Sequence, residues 1–141
     1  MRSTTSRILG TISLVLAACA TPHPCVERGP TLVLEVPPGE LPQLDADQRV
    51  AVTVRETATG RELRRTVYVQ RGATADSVAG ALVVAFEHAG IGLRTSPRSA
   101  ALVQEVDVPV GYEVVAVDVS RVDGIEDGRL EVRVVNSSGM R

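Results

Sequence analysis

The 141-residue sequence has no lysine, no tryptophan, one phenylalanine and two tyrosines. Without lysine there is no G-x-x-x-x-G-K-[ST] loop, so nucleotide phosphates are not held in that way. Phe86, Tyr68 and Tyr112 are too few to build the aromatic cages and stacking platforms that capture cations and bases. Histidine is as scarce, with only His23 and His88. No H-E-x-x-H occurs and the domain holds no cysteine pair, so neither a metal site nor a cofactor is expected. A Ser/His/Asp triad would have to use His88, and no G-x-S-x-G elbow presents a serine to it. No catalytic residue is assigned on this reading, which favours a non-enzymatic protein. The alternative is a soluble secreted or periplasmic hydrolase working through paired carboxylates or His88.

Long apolar runs are missing too. The longest, residues 8–18, holds 11 residues, whereas a helix crossing a bilayer needs about 20. Arg2 and Arg7 precede this run, and small residues with Cys19 follow it. A positive segment, a short apolar segment and a small-residue cleavage site make a secretory signal. Ala18 and Ala20 also satisfy the A-x-A rule, which would release a soluble chain beginning at Thr21.

The four residues Leu16-Ala17-Ala18-Cys19 resemble the bacterial lipoprotein signal. The resemblance implies a signal peptide at 1–18, cleavage before Cys19 and palmitate-type acyl chains on Cys19, the one expected site of lipid attachment. Each buried methylene contributes about 0.8 kcal/mol, and more than one chain makes the attachment stable. Ala20 in place of Asp resembles the outer-membrane-directed group. The expected location is therefore the cell envelope, lipid-anchored at the outer membrane and facing the periplasm or the cell surface.

Removing residues 1–18 leaves 123 residues with 13 Arg against 17 acids, a net charge of −4. That is one domain plus a tether, with no basic patch for nucleic acid. Residues 19–30, with Pro22, Pro24 and Pro30, read as a Pro-rich tether reaching at most about 40 Å. It contains Cys25, which has no partner inside the chain once Cys19 is acylated and is either free or linked to another chain.

Residues 31–136 read as a single α+β domain with about five to six strands and one helix across them. Leu32, Leu34 and Val36 alternate in the first strand. Val50, Val52 and Val54, then Leu63, Val67 and Val69, make a hairpin whose wet face carries Arg49, Arg55, Arg61 and Arg64. That basic stripe could touch anionic lipid or glycan, or simply solubilise the face. Thr74 caps a helix whose stripe is Ala75, Val78, Ala79, Leu82, Phe86 and Ala89, with His88 at its end. Residues 94–98 read as a loop. Leu102, Val106 and Val108, then Val115, Val117 and Val119, then Leu130, Val132 and Val134 make three further strand faces. Asp123, Glu126 and Asp127, with Asp118, supply four carboxylates near a turn, but the alternating spacing of a calcium loop is absent. Residues 137–141 read as a tail.

Within residues 50–119, the run from Thr66 to Leu82 leads a strand through Gly72-Ala73-Thr74-Ala75 into an alanine-rich helix. It resembles a small structural module of phage tail and virion proteins, which brings no catalytic residue. The secretion signal departs from that family's pattern, so the shape is carried over and the role is not. A β-grasp arrangement suits the same order of elements. The partners expected are the membrane, through Cys19, and an envelope protein or a second copy meeting an exposed sheet edge.

Overall fold

A computed structural model describes residues 28–100 and 102–136. Cys19, the signal at 1–18, most of the tether and the tail at 137–141 lie outside the described residues. The described residues form the α+β fold that the sequence predicts, with seven strands and one helix among them: β1 (Thr31–Glu35), β2 (Gln48–Glu56), β3 (Glu62–Val69), α1 (Ala75–Glu87), β4 (Arg94–Ala100), β5 (Val103–Asp107), β6 (Tyr112–Arg121) and β7 (Glu131–Val135). They form two sheets of order β4-β5-β1-β7 and β3-β2-β6, and every pairing is antiparallel. Two antiparallel sheets thus stand where the sequence suggested one sheet of five to six strands.

Alternation decides the inner faces. Leu32 and Leu34 of β1 are fully buried and sit in register with Val106 and Gln104 of β5. Val50, Val52 and Val54 of β2 point into the same core. The helix closes it. Thr74 Oγ1 accepts from the Ser77 backbone N–H at 3.2 Å, and Ser77 Oγ accepts in return from the Thr74 N–H at 2.8 Å. This reciprocal cap satisfies two otherwise orphaned donors. Ala75, Val78, Ala79, Leu82 and Phe86 form the buried stripe, and it packs on β3 of one sheet and on β1, β4 and β5 of the other. A single apolar stripe therefore fuses two sheets into one core. At 13 residues, α1 is also too short to cross a bilayer.

Two sequence readings are corrected. Residues 94–98 are not a loop but most of β4, an edge strand. Its register with β5 slips between Thr95 and Ser99, around Pro97, which has no N–H to give a ladder. The buried Gln104 amide fills part of the gap by donating to Ser96 O at 3.1 Å. An edge strand of polar residues leaves no hydrophobic period to read. Val115 is the second correction. β6 slips against β2 between Thr53 and Val54, so that Val54 faces Val114 and Thr53 faces Ala116. The extra residue turns Val115 outward, 42% exposed, and brings Val114 to the core side.

Gln48 opens β2 with no exposed surface. Its Nε2 donates to Gly128 O at 3.1 Å and its Oε1 accepts from the Leu130 N–H at 2.9 Å. The side-chain amide thus plays the part of a peptide unit, fastening the β6–β7 connection to the second sheet. Gln48→Leu keeps the bulk and leaves both groups unpaired, so it is expected to cost about 1–3 kcal/mol. Urea unfolding should show a lowered midpoint with an unchanged slope, and the Leu130 amide should lose protection from hydrogen exchange.

Candidate functional site

The expected anchor reaches the domain at one end. Pro30 O accepts from the Val108 N–H at 2.8 Å, and Gly29 lies so close to the Val108–Pro109 backbone that a Cβ would collide with Val108 O. Only glycine fits there, and the contact fixes where the tether joins β1. The β2–β3 turn shares this end, since the Thr57 N–H donates to Gly111 O at 2.9 Å. The far end of β1, about 17 Å away over five residues, carries residues 36–47, 70–74 and 122–130. These three loops are tied together: the Leu44 N–H donates to Ala73 O, the Gly72 N–H to Leu44 O and the Val122 N–H to Asp47 O.

The basic stripe is present but largely neutralised. Arg55 Nε meets Glu113 at 3.2 Å and its Nη1 meets Glu62 at 3.4 Å. The hydrogen bond that Arg55 donates to Glu113, more than any other influence, raises the Arg55 pKa. Arg61 approaches Glu56 at 3.9 Å. Arg64 reaches Asp118 at 3.3 Å, from β3 across to β6. Arg64 is in register with Thr53 and Asp118 with Ala51, so this pair passes over the middle strand and covers its small residues. Ala51 and Thr53 are consequently buried on the solvent side, at 5% and 9% exposure. Sequence reading saw the arginines of one hairpin; the acids that answer two of them come from β6, 58 and 54 residues on.

At the far end, the acidic turn surrounds an arginine. Arg121 Nε and Nη2 hold both oxygens of Asp123, at 3.0 and 2.7 Å, and Nη1 reaches Asp45 at 3.2 Å and Asp127 O at 2.8 Å. Gly128 leaves room for this guanidinium, since a Cβ there would stand 2.6 Å from Nη1, and its φ of +78° suits glycine. Arg121 supplies the positive charge that a calcium ion would bring. Asp118, grouped with these acids from sequence, instead pairs with Arg64. Among the described residues no cluster of three or more His, Cys, Asp or Glu side chains could hold a metal.

The Asp123 carboxyl is held below its ordinary range, first by the hydrogen bond from Arg121 and next by the Ile125 N–H. A carboxyl depressed in the fold adds stability above its unfolded pKa of about 4, and that stability is lost as pH falls through the folded value. Asp123→Asn is therefore expected to lower the urea midpoint at pH 7, and the gap from wild type should close as the solution is acidified below about pH 4. A gap that persists unchanged in acid would show that the ion pair contributes nothing.

Two concavities flank this end. A pocket of about 350 Å³ has walls of Pro37, Pro38, Leu41 and Leu44 with Asp45 and Arg71. A groove of about 540 Å³ runs between β6 and β7; nothing in the sequence signals it, because half-buried edge valines alternate as core valines do. His88 stands elsewhere, exposed at the C-cap of α1. Its side chain makes no hydrogen bond to a serine or carboxylate among the described residues. Compared with protein-family models, with curated proteins and with solved structures, the chain matches none of them.

Proposed function

We propose that this is a bacterial lipoprotein, anchored in the envelope through acyl chains on Cys19, whose α+β domain binds or scaffolds another envelope component without catalysis. The observation that carries the reading is Leu16-Ala17-Ala18-Cys19 closing an 11-residue apolar run behind Arg2 and Arg7. The geometry is compatible with it. A tether joined to β1 beside Val108 presents that end of the domain toward the bilayer and leaves the loops at 36–47 and 122–130 pointing away. Partners would then meet the far end and the sheet edges, while the paired arginines of the hairpin keep the sheet face solvated.

The test is the mass of the N-terminal peptide of the purified chain. An acylated peptide beginning at Cys19 supports the anchor. An unmodified peptide beginning at Thr21 overturns it and leaves a secreted soluble protein.

A further inference from the structure

Strands β6 and β7 follow one another in the chain, yet each is the last strand of a different sheet. Among the described residues no backbone ladder joins them, so both present an unpaired edge to the groove between them. Val117, Val119 and Val132 line that groove and remain half-buried, so carbon is left at the surface there. The Val119 carbonyl is met by a side chain: Arg129 Nη1 donates to it at 3.2 Å, while Arg129 Nε donates to Glu126 O at 2.9 Å. A guanidinium thus occupies a place where a neighbouring strand would put its N–H. Side chains of this kind blunt an open edge.

We infer that the groove receives an extended segment of another protein as an added strand, aliphatic at alternate residues and basic at those between. The added backbone would pair with both free edges, and its inward aliphatic side chains would cover the three valines. Charge selects the outward residues. Three carboxylates line the groove against two guanidiniums, and Arg129 is engaged with carbonyls. Glu126 and Glu131 are exposed and form no ion pair among the described residues. Glu131 is in register with Glu35 on the outer face of its sheet, beside which the outward residues of an added strand would lie. The inference rests on reading the domain as a binding module and not on the anchor; a failed acylation result leaves it standing.

The probe is an acetylated, amidated seven-residue peptide alternating Arg and Val, added to the full chain in detergent. Hydrogen exchange followed by mass spectrometry should show slowed amides in β6 and β7, and not in β3 or β4. Glu131→Lys should weaken this peptide about fivefold and favour one alternating Glu and Val. Arg129→Ala, which removes the side chain holding the Val119 carbonyl, should tighten it. Unchanged exchange in β6 and β7 at saturating peptide overturns the inference, as does equal binding of the Glu and Val peptide by the wild type. Concentration-dependent protection of the same strands without peptide also overturns it, because a second copy would then fill the groove.

Discussion

Replacing Cys19 with Ala is expected to move the chain from the membrane fraction to the soluble fraction almost completely. A single saturated chain of myristoyl length holds a protein with an association constant of only about 10⁴ M⁻¹, and additional chains raise this by about 0.8 kcal/mol per buried methylene. Losing every acyl group removes the attachment that the lipoprotein reading proposes, and no helix among the described residues is long and apolar enough to span a bilayer. The variant should not be retained by its signal either. Ala18 and Ala20 still frame an A-x-A site, and the 11 apolar residues before them are too few to stay as a spanning helix. Fractionation at high salt separates this from peripheral binding by the arginines, which salt would weaken. A Cys19→Ala chain still in the washed membrane would refute the anchor.

Phe86→Ala should give the largest loss of stability in the folded part. Phe86 is the largest fully buried side chain and the one aromatic in the fully buried core, for Tyr68 is 71% exposed and Tyr112 half-buried. It sits in the last turn of α1, where the Ile91 N–H also closes on its carbonyl at 3.0 Å. Phenylalanine truncation in such a site costs about 3–5 kcal/mol through lost transfer energy and the cavity left behind. A domain of this size has about 5–15 kcal/mol in total, so thermal unfolding by circular dichroism should shift down by roughly 15–30 °C. Val84, 50% exposed on the same helix, is the control, and Val84→Ala should change stability by less than about 0.5 kcal/mol. Equal effects at the two positions would mean that α1 does not pack as described.

Much of the fold was legible because its signals are local. Thr74 as the N-cap, and the stripe from Ala75 to Phe86, lie within one short stretch of chain and read correctly. So did β1, the β2–β3 hairpin and the alternation of β5. Elsewhere strand pairing overrode the local pattern. Val115 belongs by spacing with Val117 and Val119, and only the slip against Thr53 and Val54 turns it out. β4 has no alternation at all and exists because β5 offers it an edge.

The site divides in the same way. The proposed anchor rests on the order of residues from Arg2 to Cys19, a signal read along the chain without any fold. Neutralisation of the hairpin arginines, the seating of Arg121 among Asp45, Asp123 and Asp127, and the groove between β6 and β7 came from tertiary structure alone. The first two join side chains from segments distant in sequence, and the groove exists because the consecutive strands β6 and β7 pair into different sheets. Composition and period say which residues turn inward, but the separation of seven strands into two sheets depends on which edges meet, and that is settled only when the whole core packs.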